Sequence, residues 1–243
     1  MRDVYHEQLD LLVARLLDMS RMVGDAMDRA TVAMSEVDLE LAERVVADKT
    51  HVDDARAEAD GHAYAILALE SPVATDLRVV LEAIHATRSL ERMGRLAVHV
   101  AEAVQRRHPE PVVPPPLTPR FAEMGRIAVW LAAMAGQVIQ TGDATLARAL
   151  VAVDDEMDDL HRTLFTVIDY KQWTYGTATA VDVALLSRFY ERFADHAVSL
   201  ARHTTFVVTG QPKWTHTVPC QDRVEDEGFD CASRSQSKWQ SRR

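Results

Sequence analysis

The triplet Arg88, Glu91, Arg92 recurs as Arg188, Glu191, Arg192 at a shift of 100 residues, and Ala97-Val98 recurs with it as Ala197-Val198. Upstream, the register is 105: Leu16 falls on Phe121, Met19 on Met124, Ala30 on Ala135, Asp38 on Asp143, and Asp53-Asp54 on Asp158-Asp159. Matching apolar positions alone carries little weight, because any two amphipathic segments slide into register. The Arg-x-x-Glu-Arg match falls at the same place in both halves and carries more. An internal duplication restricts the chain to two copies of one supersecondary unit.

That unit is helical. Leu9, Leu12, Leu16, Met19, Val23, Ala26, Ala30 and Ala33 alternate steps of three and four, which puts one apolar stripe along a helix. Asp38 is a suitable N-cap for a second helix through Leu41, Val45, Val52, Ala55, Ala59 and Ile66. Ser71-Pro72 marks a break, with Pro72 expected in the first turn of a third helix. That helix carries Leu77, Leu81, Ile84, Val98 and Ala101 and ends near Arg107. The abundance of Ala, Leu, Arg and Glu suits helix throughout, since these residues lose least on entering one.

Six of the nine prolines crowd into 108–119, where no helix survives. The segment reads as an extended, semi-rigid linker. Thr118 is placed to cap the next helix, with Pro119 as its first residue. The pattern then returns. Phe121, Met124, Ala128, Leu131, Ala135 and Val138 form a seam that stops at Gly142. Asp143 caps a fifth helix through Leu146, Leu150, Val153, Met157, Leu160, Leu164 and Val167, and a loop at Tyr175-Gly176 leads to a last helix from about Thr179 to Val208. The expected fold is all-α: two tandem three-helix bundle repeats, six long helices, packed side by side. The expected division is 1–107 for the first repeat, 108–119 for the linker, 120–210 for the second repeat and 211–243 for a disordered tail. The tail holds both cysteines, Cys220 and Cys231, without the close spacing of a redox or zinc motif.

The net charge of −10 makes nucleic acid an unsuitable partner, because an acidic protein repels a phosphate backbone. No run of apolar residues is long enough for a membrane span, and Ile127 to Ala135 reads as buried core. The start, Met1 to Glu7, lacks the apolar centre of a signal peptide, so a cytoplasmic protein is expected, peripheral to membranes only through partners.

The third helices carry the informative polar residues. Glu91 lies seven residues from both Ile84 and Val98, so it falls on the apolar seam; Glu191 lies likewise between Ala184 and Val198. A carboxylate on a buried stripe needs a partner. Asp195 follows Glu191 by one turn, and two carboxylates at that spacing repel unless a cation sits between them. Oxygen donors of this kind suit a divalent metal or iron. Asp154, Asp155 and Asp158 on the fifth helix are candidate helpers. A solvated acidic face with nothing bound is the competing reading for all of them. Asp48-x-x-His51, Glu82-x-x-His85 and Asp158-x-x-His161 each put a carboxylate and an imidazole on one helix face. Only Glu82-x-x-His85 has the residue types of a di-iron half-motif, and such a site needs two. No Gly-rich phosphate loop, His-Glu-x-x-His or nucleophile elbow occurs, and no catalytic constellation is expected.

The duplicated Glu91-Arg92-Met93-Gly94 and Glu191-Arg192-Phe193-Ala194-Asp195-His196, with Pro72 to Arg78 and the paired three-helix layout, resemble the PhoU family over roughly residues 1 to 210. The resemblance implies a non-enzymatic regulator of phosphate uptake and phosphate-starvation signalling. Such a protein links the ATPase subunit of a phosphate ABC transporter to a sensor histidine kinase, and a homodimer is the expected assembly. It also implies metal binding through Glu/Asp-x-x-x-Asp on each third helix. Where the first repeat should carry Asp, this chain has Arg95. A metal is therefore expected mainly on the second repeat, at Glu191 and Asp195, with Glu91 neutralised by Arg95 and with Arg95→Asp opening a second site. The alternative is a metal-handling carboxylate bundle, for storage or oxidation; a ligand-free coiled-coil scaffold is a third possibility.

Overall fold

The long apolar stripe of the first helix is buried almost throughout: Leu12, Leu16, Met19, Val23, Ala26, Ala30 and Ala33 are all at most 6% exposed. A computed structural model of the chain describes residues 2–169 and 173–209. Among these residues it is all-helical: α1 (Arg2–Glu36), α2 (Leu39–Ala47), α3 (Lys49–Glu70), α4 (Ala74–Arg107), α5 (Thr118–Thr141), α6 (Ala144–Asp169) and α7 (Gly176–Thr209), with a short 3-10 turn at Pro115–Leu117. The expected tail, 211–243, lies outside the described residues.

Local chemistry sets most of the boundaries. The Asp38 carboxylate accepts from the Leu41 N–H at 2.9 Å. The Asp143 carboxylate accepts from the N–H groups of Thr145 and Leu146. Gly142 closes α5 at φ 66°, in the left-handed region, and its N–H donates to the Val138 carbonyl. Two expected caps differ. Pro72 precedes α4, which starts at Ala74 behind Val73. Thr118 is already inside α5, whose cap residue is Leu117.

The second helix of the first half is two helices. The chain turns at Asp48, whose carboxylate accepts from Arg29 of α1 at 2.7 Å. Neither the break nor this cross-helix bond is visible in the periodicity, because the seam continues through the break. Two seam positions of the third helix also differ: Leu77 and Leu81 are 36% and 44% exposed. Further along, α4 is buried on two sides, because it packs against α1, α2, α3 and α7.

The proline-rich connection is not an extended linker. Val112, Val113 and Leu117 are buried in the common core, and the chain folds through the 3-10 turn. The three apolar side chains outweigh the stiffness of the prolines around them.

The six-helix plan closes around two contacts between the halves: α1 crosses α5, and α4 lies along α7. The helices of both halves belong to one compact unit. Phe189 stacks near His99 at 5.3 Å between ring centroids, His203 lies near His85 at 6.2 Å, and Arg107 Nε donates to Asp182 at 2.7 Å. Rising numbers on α4 thus meet falling numbers on α7, so the two third helices run antiparallel. Their burial repeats as their sequence does: Leu90, Glu91, Met93 and Ala97 are buried, and so are Tyr190, Glu191, Phe193 and Ala197.

Candidate metal site and its neutralised twin

Glu91 and Glu191 are 6% and 8% exposed, the only acidic residues buried to this degree among those described. Each is placed by its helix on the inward seam, and each therefore needs a countercharge. The two halves supply it differently.

In the second half, one Glu191 oxygen accepts from Arg188, one turn back on α7. The other, Oε2, is buried without a hydrogen-bond partner. Burial pushes the Glu191 carboxyl above the usual range, and Asp195 adds to this, while Arg188 opposes it. Across the helix gap, Asp154 of α6 is pushed up to about 7, mainly by burial and then by the charges of Asp158 and Asp195. Asp158 is raised by burial and by Asp195. The fold thus brings Asp154, Asp158, Glu191 and Asp195 into one field of mutual repulsion. Asp155 contributes its charge from an exposed position on the same helix. His161 donates to or accepts from Ser187 Oγ at 3.0 Å, and its pKa is lowered by burial and by Arg188.

Among the described residues, no three His, Cys, Asp or Glu side chains converge at metal-holding distance. What the second half offers a hard or borderline cation is chemical: the unpartnered buried Glu191 oxygen, with the charges of Asp195 and Asp158 acting on it and on Asp154.

In the first half the same position is balanced from within. Arg95 donates to one Glu91 oxygen, and Arg56 Nη1 of α3 lies 3.4 Å from the other. Arg56 also pairs with Asp60, which accepts from Thr87 Oγ1 at 2.6 Å. The duplication register makes the contrast explicit. Arg95 stands where the second half has Asp195, Arg56 where it has His161, and Lys49 where it has Asp154. Lys49 lies 3.8 Å from Asp53, the counterpart of Asp158. Two cations, Arg95 and Arg56, pair with Glu91, and a third, Lys49, stands on the same helix as Arg56 against Asp53. The 105-residue register already implied Lys49 and Arg56; the signal was present once the overlay is read through the second helices.

The raised carboxylates predict a pH dependence. A carboxyl whose folded pKa exceeds its unfolded value binds more protons when folded, so stability falls as pH rises between the two values. For Asp154 that window runs from 3.8 to about 7. Chelator-treated protein is expected to lose thermal stability across this range, and Asp154→Asn to flatten the slope. A wild-type melting temperature that rises from pH 5 to 7 with a slope unaffected by Asp154→Asn contradicts this account of the site.

Fold and site together define a duplicated three-helix-bundle protein, with one carboxylate-rich half and one half neutralised internally. The family model described as the PhoU domain matches twice, at residues 16–104 and 121–204. The chain belongs to the PhoU family. It is 49% identical over 210 residues to a Mycobacterium tuberculosis protein named phosphate-specific transport system accessory protein PhoU homolog 2, covering 86% of this chain and 99% of that one. A Mycobacterium leprae protein, PhoU homolog 1, is 47% identical over 219 residues, covering 90% and 99%. The crystal structure of PhoU from Pseudomonas aeruginosa shares the fold at a TM-score of 0.76 and 22% identity, covering 85% of this chain and 100% of that one.

Proposed function

We propose that the protein is a cytoplasmic regulator of phosphate uptake and phosphate-starvation signalling, acting as an adaptor and not as an enzyme. The observation that carries this reading is the 49% identity, over nearly the whole length of the relative, to a phosphate-specific transport system accessory protein. The adaptor joins the ATPase subunit of a phosphate ABC transporter to a sensor histidine kinase and works as a homodimer. No described helix is long and apolar enough to cross a membrane, consistent with attachment through partners. Leu77 and Leu81, left exposed near the start of α4, supply apolar surface of the kind a protein partner covers. Within this reading Glu191, Asp195, Asp154 and Asp158 hold a divalent cation or iron that relieves their repulsion. A storage or oxidase bundle is less favoured, since Glu82-x-x-His85 has no second Glu-x-x-His to complete a di-iron set.

The test is genetic and biochemical. Deleting the gene is expected to leave phosphate-starvation genes expressed in ample phosphate, and the tagged protein is expected to retain the transporter ATPase or the kinase. Normal repression in the deletion strain, with neither partner retained, overturns the reading.

A further inference from the structure

The duplication relates the two ends of the antiparallel α4–α7 seam, but the halves have diverged and the two ends differ. At the closed end Phe189 stacks against His99, and Asp182 is held by Arg106 and Arg107. Shifting by 100 residues, Ser89 replaces Phe189, Ser199 replaces His99 and His203 replaces Ala103. Small hydroxyl side chains there leave a cleft of ≈ 170 Å³, lined by Glu82, His85, Arg88 and Ser89 of α4 and by Ser199 and His203 of α7. Its size is below the roughly 300–1,000 Å³ of pockets for larger organic ligands.

Arg88 sets the chemistry of this cleft. Its counterpart, Arg188, is spent on Glu191. Arg88 has the same spacing to Glu91, but Glu91 is already engaged by Arg95 and Arg56. Arg88 is left with no ion-pair or hydrogen-bond partner among the described residues, and it lines the cleft. The one carboxylate there, Glu82, places Oε2 3.3 Å from His203 Nδ1, so its charge faces an imidazole. The unpartnered Arg88 guanidinium, two imidazoles and the Ser199 hydroxyl line a small concavity and form a donor set for a tetrahedral oxyanion, while Ser89 Oγ donates to the His85 carbonyl at 3.2 Å.

We propose that this cleft between α4 and α7 binds a single phosphate ion, with Arg88 as its principal anchor. The choice of phosphate among oxyanions rests on the phosphate-regulation reading; the site itself rests on the cleft and its donors. Its lining shares no residue with the carboxylate cluster of Asp154, Asp158, Glu191 and Asp195.

Full-length protein, freed of metal by chelation, is titrated with inorganic phosphate by calorimetry while the histidine C2 proton resonances are followed. One saturable site is expected, with the resonances of His85 and His203 shifting. Arg88→Met is expected to weaken binding at least about tenfold, the scale for removing a charged hydrogen-bond donor. Ser89→Phe, which installs the residue of the closed end, is expected to abolish binding without removing any charge. Circular dichroism and melting temperature establish that both variants are folded. Arg21→Met, on the exposed surface of α1, is the control and leaves binding unchanged. The proposal is overturned by wild-type protein that binds no phosphate, by unchanged affinity in both cleft variants, or by histidines that respond to zinc and not to phosphate. Sulfate binding as tightly as phosphate overturns the phosphate assignment. Failure of the deletion-strain test instead removes the regulatory reading and leaves these binding results standing.

Discussion

Asp195→Ala is expected to strip most bound metal from protein purified without chelator, whereas Glu91→Ala is expected to leave the metal content unchanged. Glu191 has an unpartnered buried oxygen, and the charges of Asp195 and Asp158 act both on it and on Asp154. Removing one ligand from such a set should cost at least the roughly 10–100-fold in affinity that losing an outer partner costs. Glu91 already has two guanidinium partners, and Lys49 stands one helix away. Arg does not give up its charge, so the first half resists a divalent cation at any accessible pH. Arg95→Asp alone is therefore expected to add no metal, because Arg56 and Lys49 remain. The triple change Lys49→Asp, Arg56→His, Arg95→Asp rebuilds the second-half set and is expected to load a second metal. Elemental analysis per mole of protein decides the matter. Equal losses from Glu91→Ala and Asp195→Ala would sink the asymmetry, and metal-free wild-type protein would return the carboxylates to a solvated acidic face.

Gly125→Val and Gly136→Val are each expected to lower the stability of the whole protein by roughly 1–3 kcal/mol, the scale of overpacking a close contact. These two glycines lie where α5 crosses α1. A Cβ at Gly125 would fall 2.5 Å from Thr31 Cγ2, and one at Gly136 would fall 3.0 Å from Ser20 Oγ. Neither hydroxyl residue is free to retreat. Thr31 Oγ1 bonds the Met27 carbonyl at 2.7 Å and the Tyr190 hydroxyl at 2.8 Å, while Ser20 Oγ donates to the Ala132 carbonyl at 2.7 Å. The two contacts are equivalent under the duplication, since Ser20 corresponds to Gly125 and Thr31 to Gly136 in the 105 register. Both glycines belong to α5 and both hydroxyl residues to α1, so the second half supplies the space and the first half fills it at both contacts. Because this crossing joins the halves, the loss is expected as a shift of one cooperative thermal transition. Two transitions in the variants, with one unmoved, would show that the halves unfold independently. A melting temperature unchanged in both variants would show that the crossing tolerates the added volume.

The sequence by itself determined the helical repeat, several of its boundaries and the burial of the two seam glutamates. All three follow from information local to one helix: period, caps at Asp38 and Asp143, the stop at Gly142, and the spacing of Glu91 and Glu191 within their seams. It also indicated that Arg95 would face Glu91, because an i,i+4 pair is fixed by helix geometry alone. What tertiary structure decided involves groups on different helices. Arg29 of α1 bonds Asp48 at the point where the second helix divides into α2 and α3. Arg56 reaches Glu91 from α3, and Asp154 meets Asp195 from α6. Burying Val112, Val113 and Leu117 folds the proline segment onto the core, although its proline content reads as a spacer. Arg88 illustrates the limit most directly. Its sequence context matches that of Arg188, yet Arg188 is bound to a glutamate and Arg88 lines an open cleft, because Glu91 is engaged both by Arg95 of its own helix and by Arg56 of α3, a helix that periodicity cannot position.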